Sequence, residues 1–567
     1  MRLNNLMRLV LAGFFLVIAV SLAPTRLHAG LFEQLAVSGR AMSMGNAATA
    51  YPPGPMAIHY NPAGLTQIEG TEFDNSIGFV YMQRTVKFTQ GRDENGQYWA
   101  PMGGYFNPKN RPEGEPKDPI AGEEGKVSNG YMVIPIVQVE LPLLITPTMS
   151  YAHHPVNSRW AFGFGNYAPF GVGLEHDSKD PLSYLGQKAF FLRMILLAPA
   201  VAYKVTDDLS VGASVGLGVC VFSFQTKMRS PNDMMALTGV LGENTESLEI
   251  PVLSELTLPP PWFGGGESPY NTVGSLEALG EDDFTTSYNL GLLWEPKEWF
   301  AFGAVYQSES ETTMSGDYKF HFSDRFQKMV KWMGSSPLLV VTSAMLDLPT
   351  SPVDKQKGRF NLTMIWPQRF QCGIMIKPID KVRLTCDLNW TDWEAWKALE
   401  IKFDQKIQLL RLTRLLGYQH PADTMYVDLG MKNTLHFSYG MELQPVDKLK
   451  IRLGYEPRPT SVKDNFFGPV PMPDMKIYSI GIALDIDKKP KPSPKDAREL
   501  FKQIEKPNSI ELNFSYVALE NVYVPSNTSI NLNSTELSRP VYNPYAGLNF
   551  KQKFANYIFS LNQIFKW

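Results

Sequence analysis

Ser210-Val211-Gly212-Ala213-Ser214-Val215-Gly216-Leu217-Gly218-Val219-Cys220-Val221 alternates without a break. Even positions through Gly218 carry Ser or Gly, whereas odd positions carry Val, Ala or Leu. A period of two sends successive side chains to opposite faces of a strand, so one face is apolar and the other small. The pattern returns in Phe370, Cys372, Ile374 and Ile376, in Val382, Leu384, Cys386, Leu388 and Trp390, in Leu449, Ile451, Leu453 and Tyr455, and in Ile510, Leu512, Phe514 and Tyr516. Working outward from it predicts fourteen strands, near residues 72–90, 145–154, 158–168, 189–204, 209–226, 284–295, 299–318, 367–377, 381–402, 433–444, 448–459, 475–486, 508–520 and 554–567.

Every second connection but one is a tight turn: Pro155-Val156-Asn157, Thr206-Asp207-Asp208, Pro296-Lys297, Pro378-Ile379-Asp380 and Pro445-Val446-Asp447. The alternate connections are longer, above all 91–144, 227–283 and 319–366. Short turns on one rim, long loops on the other and an apolar outward face are what an outer-membrane barrel requires, whereas a soluble sandwich distributes its loops less one-sidedly. Tyr557, Phe559, Leu561, Phe565 and Trp567 share a face of the last strand, which predicts an aromatic girdle at the membrane boundary. The exceptional short-side connection, 487–508, is Pro/Lys-rich and then helix-like, and reads as a solvated periplasmic excursion.

Composition agrees with that reading. The 567 residues carry 53 Lys+Arg against 56 Asp+Glu, a formal charge of -3, which gives no electrostatic reason to bind nucleic acid. Hydrophobic residues make up 44% and charged residues only 19%, which excludes disorder throughout. Three cysteines are too few for a disulfide scaffold, and none forms a C-x-x-C pair. Arg2 and Arg8, the apolar run 9–23 and Leu27-His28-Ala29 read as a signal peptide over 1–29. Beyond it no apolar run reaches the roughly 20 residues of a membrane helix; the nearest, 189–203, is broken by Arg193 and Pro199. A closed barrel is the other way to satisfy backbone groups in lipid.

Residues 30–70 are rich in small side chains: Ser38-Gly39-Arg40-Ala41, then Gly45-Asn46-Ala47-Ala48-Thr49-Ala50, then Asn61-Pro62-Ala63-Gly64-Leu65. The stretch lacks the period of barrel wall and is too apolar for a free tail, which suggests a plug packed against a lumen. The S-G-R-A and N-P-A-G-L motifs, Asn166-Tyr167, the strand from Ser308-Glu309 to Gly316-Asp317-Tyr318 and the Trp390 to Trp396 region together resemble the FadL family of outer-membrane transporters for long-chain fatty acids and other hydrophobic compounds. The likeness spans most of the chain. It implies an all-β, monomeric, 14-stranded antiparallel transmembrane β-barrel over 71–567 with an N-terminal hatch over 30–70. It also implies a kinked third strand opening a lateral window, and long third and fourth outer loops that first capture ligand. Asn61, Pro62 and Ala63 carry over by motif, whereas the ligand-contacting residues inside the family's barrels have no motif here.

Several strings carry a second reading. Gly212-Ala213-Ser214-Val215-Gly216 matches the G-x-S-x-G nucleophile elbow, but an elbow needs a sharp strand-to-helix turn and the alternation runs straight through it. His153-His154 and His176-Asp177 have the side chains of a metal or acid–base site without further ligands at a telling spacing, so rim histidines are the plainer account and no metal or cofactor is expected. Cys372 and Cys386 fall opposite each other if Ile376 pairs with Val382, leaving open either a disulfide or two small lipid-facing side chains. Arg193, amid Phe190, Phe191, Leu192, Met194 and Ile195, is either a cation in a greasy lumen suited to a carboxylate or a snorkelling residue at the headgroups. Arg383 and Arg452 point inward by alternation, either toward ligand or toward neighbours such as Asp387 and Glu456.

The expected function is passive transport of long-chain fatty acids or other hydrophobic small molecules across the bacterial outer membrane, without catalysis. Outer-membrane lipids and the barrel-assembly machinery are the expected partners. The alternatives are a barrel enzyme acting on lipids and a structural or adhesive barrel. Ligand capture is expected at Met234, Met235, Phe326, Trp332 and Met333, apolar side chains at near-helical spacing in outward loops, and inside the barrel at Arg193. Gating is expected at Asn61, Pro62 and Ala63 of the hatch. A lateral opening is expected at Pro169 and Gly171, where a missing amide hydrogen and a glycine interrupt the ladder.

Overall fold

In the computed structural model, residues 37–91, 118–127, 129–134, 139–142, 144–246, 257–396, 398–416, 421–462, 474–487, 490–492, 499, 503, 506–524 and 544–567 are described. The signal peptide and the first residues of the expected hatch lie outside them. Fourteen antiparallel strands form the wall: β1 (Gly70–Gln90), β2 (Leu144–His154), β3 (Trp160–Glu175), β4 (Lys188–Leu197 continued by Ala200–Lys204), β5 (Leu209–Met228), β6 (Gly274–Lys297), β7 (Phe300–Gln307 and Ser310–Phe322), β8 (Lys355–Trp366 and Arg369–Ile379), β9 (Val382–Thr391 and Ala398–Phe403), β10 (Thr424–Asp428 and Thr434–Val446), β11 (Leu449–Arg458), β12 (Met475–Asp485), β13 (Ser509–Val524) and β14 (Leu548–Lys566). The sheet closes where β1 pairs with β14 from Glu72↔Lys566 to Gln90↔Leu548. Thr71 and Trp567 add two further backbone hydrogen bonds to that seam.

Exposure follows the period of two. On β6 Phe284, Tyr288, Leu290, Leu292 and Trp294 are exposed, while Thr285, Asn289 and Leu293 are buried. Ten residues at about 3.4 Å rise and a tilt of about 40° span roughly 25 Å, the height of an outer-membrane apolar band. Tyr81, Trp160 and Phe559 are exposed aromatics on the same outward face of other strands.

The inward face is small because residues 37–69 pack against it. A Cβ added at Gly212 would lie 2.4 Å from both Ala63 N and Pro62 C, and one at Gly291 would lie 2.1 Å from Asn61 Oδ1. At Gly303 it would meet Thr49 O at 2.2 Å, and at Gly454 it would meet Gly45 N at 2.1 Å. Contacts with β5, β6, β7 and β11 by one short segment are satisfied only from inside the barrel. Short helices Gly39–Ser43 and Ala57–Tyr60 and a 3₁₀ turn, Pro62–Gln67, give the segment its shape. Ser38 Oγ accepts from Ala41 N, and Asn61 Oδ1 accepts from Ala63 N, so both motifs begin with an N-cap followed by small residues.

Two kinds of bond tie the segment to the wall. Arg40 bridges Glu511 of β13 at 3.1 Å and Glu72 of β1 at 3.8 Å, and Glu511 in turn meets Arg452 of β11 at 3.0 Å. Neutral hydrogen bonds hold the other end: Ser214 Oγ donates to Ile58 O at 2.7 Å, Gln307 Nε2 to His59 O at 2.8 Å, and Asn61 Nδ2 to Thr49 O and Leu292 O at 2.8 and 3.0 Å.

The observed structure corrects the sequence reading of the wall at several points. Residues 274–283 and 355–366 are strand, not loop. There the outward side chains are polar, such as Lys357 and Arg359 with Asp317 beside it at 3.4 Å, so these strand ends stand above the bilayer and escape a search for an apolar outward face. Phe565 is fully buried, not part of a lipid-facing girdle, because residues 490–492 and 503 return over the end of β14. Lys491 N donates to Lys566 O at 2.9 Å, and its ammonium lies 5.6 Å from the Phe565 ring. Cys372 faces Leu388 and Cys386 faces Ile374, because a bulge between Ile376 and Ile379 shifts the hairpin register, and both thiols are free.

Gly212→Val drives a branched side chain into Pro62 and Ala63, an overpacking of about 1–3 kcal/mol. The barrel keeps its heat-modifiable migration on gels while the N-terminal segment is displaced, which single-channel recordings read as raised conductance.

Candidate ligand pathway

Above residues 37–69 lies a cavity of about 60 Å³ lined by His59, Tyr167, Pro169, Phe170, Arg193, Trp366, Arg369 and Trp393. Arg193 is buried on β4, and its odd-numbered face, which carries Phe191 and Ile195, points inward. Its guanidinium lies 5.4 Å from the Trp366 ring, and its Nε and Nη2 make no hydrogen bond among the described residues. Phe170, Phe191, Trp366, Trp393 and Trp396 form one aromatic cluster, with centroid spacings of 5.0–6.0 Å. A cation among aromatic faces and short of acceptors is suited to an acidic headgroup on a hydrocarbon body. On the N-terminal segment, outside the membrane-spanning strands, burial holds the His59 imidazole down at about 3, helped by the nearby Arg369 and Arg193 guanidiniums. Neutral His59 leaves the two arginines as the cations of this cavity.

The wall is incomplete beside this cavity. The β2–β3 ladder runs from His153↔Phe162 to Met149↔Asn166 and stops there. Asn166 Oδ1 accepts from Met149 N at 2.7 Å, replacing the next backbone bond. Beyond it Tyr167 to Val172 have no ladder partner on the β2 side among the described residues; Gly173 O then accepts from Tyr131 N at 3.4 Å, and Leu174 and Glu175 pair with Gly130 and Asn129. The strand itself continues to Glu175, past the sequence-expected end at 168, because its β4 side stays paired with a bulge between Tyr167 and Phe170. Pro169, which has no amide hydrogen, sits in the gap and also lines the cavity; Gly171 follows in the gap.

Under the long loops lies a second cavity, of about 100 Å³ and mostly apolar, lined by Met234, Met235, Phe326, Met329, Leu410 and Met425 among others. Met234 and Met235 belong to helix α1 (Asp233–Thr245), and Phe326 to helix α2 (Asp324–Met333). The structure thus brings Met234, Met235 and Phe326 together. Trp332 and Met333 do not line this cavity: Met333 is buried, and Trp332 packs 4.7 Å from Phe263 and donates to Pro259 O at 2.7 Å. Leu409, Leu410, Leu412 and Leu415, from the connection between β9 and β10, complete it. Their crowded leucines (Gln408-Leu409-Leu410-Arg411-Leu412) were the available sequence signal.

Comparison with known proteins fits this architecture. Residues 27–491 match the family model described as outer membrane protein transport protein (OMPP1/FadL/TodX). The chain belongs to the FadL/TodX family of outer-membrane transporters of hydrophobic compounds. Its fold is similar to a Pseudomonas aeruginosa FadL homologue at 16% identity and TM-score 0.61, covering 95% of this chain and 99% of that one. It is also similar to the Ralstonia pickettii toluene transporter TbuX (16%, TM-score 0.52, 94% and 99% covered) and to the Pseudomonas putida toluene transporter TodX (14%, TM-score 0.52, 95% and 100% covered). No curated protein matches the chain in sequence.

In this FadL/TodX-family barrel the remaining singled-out residues have structural surroundings. Ser214 lies mid-strand, with its hydroxyl on Ile58 O. His153 Nδ1 meets Thr71 Oγ1 at 2.8 Å, His154 bridges Ile68 O and Ser158 O, and His176 Nδ1 meets Gly186 O at 2.6 Å. Arg383 and Arg452 point inward and pair with Glu442, while Glu456 is taken by Arg458 and His436.

Arg229, on the rim of the outer cavity, ties three loops together. It grips Asp118 through two hydrogen bonds of 2.7 and 2.9 Å, donates to Pro544 O at 2.6 Å, and lies 5.0 Å from the Tyr184 ring. Breaking a buried pair leaves an uncompensated charge, at about 3–5 kcal/mol. Asp118→Ala therefore loosens the loop cap while the transmembrane wall stays folded. Limited proteolysis registers this as faster cleavage in the loops with unchanged barrel melting.

Proposed function

We propose that the protein carries long-chain fatty acids passively across the outer membrane. Ligand enters the outer cavity lined by Met234, Met235 and Phe326, passes to the inner cavity, where its carboxylate meets Arg193, and leaves sideways between β2 and β3 at Pro169 and Gly171. The observation that carries this reading is Arg193: a buried guanidinium with two nitrogens short of acceptors, among aromatic rings and beside the gap in the wall. A hydrocarbon without a headgroup has no use for such a cation. The aromatic cluster favours a second reading, a neutral aromatic hydrocarbon as ligand, in which Arg193 would be dispensable.

The N-terminal segment is the gate. His59 lines the inner cavity, and Asn61-Pro62-Ala63 follows directly, wedged against Gly212 and Gly291. Ligand shifts such a plug only if it favours one of two packings, and a headgroup beside His59 lies where it acts on that segment.

A charge-assisted hydrogen bond is worth about 1.5–3 kcal/mol. Arg193→Met therefore weakens oleate binding roughly tenfold to a hundredfold while leaving methyl oleate and toluene unaffected, as measured by titration calorimetry. Equal oleate affinity in the variant sinks the carboxylate reading in favour of the neutral one. Separately, a disulfide engineered between β2 and β3 across Thr148 and Tyr167 stops oleate uptake by cells, with reductant restoring it. Undiminished uptake while oxidised rules out lateral exit.

A further inference from the structure

Helix α3 (Pro337–Met345) is folded inside out. In a surface helix the apolar stripe faces the protein, but here Leu339 and Ser343 are the buried residues, while Leu338, Val340, Val341 and Met345 are exposed, followed by exposed Leu346. Its attachment is modest: Ser336 caps the helix through Leu339 N, and Ser343 Oγ donates to Met333 O at 3.2 Å. Met345 is 81% exposed.

The neighbouring helix α2 supplies charge. Phe326 and Met329 turn inward to the outer cavity, while Lys328 and Lys331 are exposed three residues apart on another face. Neither lysine forms an ion pair among the described residues. Arg325 precedes them, near Glu267. Two acids flank the lysines: exposed Asp324 opens α2 without an ion pair among the described residues, and Asp347 is already held by Lys406 at 2.6 Å and Arg411 at 3.2 Å, so Lys328, Lys331 and Arg325 leave the helix face net positive. The α2–α3 hairpin thus presents an apolar helix beside free lysines, the composition that binds anionic amphiphile surfaces. Behind it lies the outer cavity.

We infer that this hairpin docks the protein onto aggregated fatty acid, a particle whose surface is carboxylate and whose interior is alkyl chain. The inference rests on the fatty-acid reading above and adds a step before it. The lysines meet the carboxylates, Val341 and Met345 enter the chain region, and a single molecule then passes across α2 into the outer cavity. Charge complementarity and the shared helix select this occupant over a second copy of the chain, which would bring like charges together.

The test uses the full chain in lipid nanodiscs and phosphatidylcholine vesicles with or without oleate, separated by flotation. The unmodified protein floats with oleate-bearing vesicles and not with plain ones. Lys328→Gln with Lys331→Gln weakens this by about fivefold for each lysine, and Val341→Ser with Met345→Ser by about tenfold or more. Because all four residues are exposed, both variants keep unchanged affinity for oleate below its aggregation concentration. Arg193→Met gives the opposite pattern, losing dissolved oleate while still floating, so failure of the transport reading is distinguishable from failure of this one. Variants that float like the unmodified protein, or equal flotation on plain vesicles, overturn the inference. So does an α3-dependent pairing of nanodiscs without vesicles, which identifies a second copy as occupant. A fluorophore at Met345→Cys that already reports an apolar surrounding in the nanodisc alone overturns it too, because the helix would then lie on its own membrane.

Discussion

Backbone amides in hydrocarbon have no water to bond, so a chain that crosses as strands must close its ladder on itself. That constraint sets β1 against β14 and holds the strands between them to alternation, broken only locally by bulges such as the one between Ile376 and Ile379. It also gives meaning to the lapse in pairing between β2 and β3. Asn166 supplies a side-chain acceptor where the β2–β3 ladder ends, and Pro169 has no donor to lose. The gap is therefore built from residues that reduce its electrostatic cost, and it opens onto the cavity that holds Arg193.

A second constraint follows inside the barrel. Closing fourteen strands leaves a lumen that side chains alone do not fill, and the plug that fills it brings charges with it. Buried charges persist when each is paired and hydrogen-bonded. Arg40, Glu511, Arg452, Glu442 and Arg383 form such a chain from the N-terminal segment across β13, β11, β10 and β9. Arg193, by contrast, forms no ion pair among the described residues and lies 5.4 Å from the Trp366 ring.

The architecture was legible because period two, tight turns and long loops are written locally. Strand number and most strand positions follow from them, as does the packing role of Gly212, whose small face reads directly from Ser210 to Gly218. What alternation could not reveal was tertiary. The outer ends of β6 and β8 carry Glu277, Lys357 and Arg359 outward because water, not lipid, surrounds them. Register at Cys372 and Cys386 depends on a bulge at the turn, which no local pattern records. The burial of Phe565 depends on a segment that returns to it from the 487–508 connection. At the site, Arg193 was visible as a charge in an apolar strand, whereas Trp366, Trp393 and Arg369 were not, because strands far apart in sequence, from β3 to β8, and the turn at Trp393 converge on one cavity.

Neither cavity, at about 60 and 100 Å³, reaches the roughly 300 Å³ that enclosed ligand sites occupy, so passage of a long chain requires something to move. The bonds of the N-terminal segment differ between its two ends. Its start is fixed by Arg40 to two carboxylates, whose separation would strand buried charge. Its later part, Ile58 to Ala63, is fixed by neutral hydrogen bonds from Ser214, Asn289 and Gln307, each worth about 1 kcal/mol net. That part is also the one in contact with the cavity, through His59. In the proposed passage these are the residues that meet the ligand and cost least to displace, and the ionic anchor at Arg40 is the fixed point.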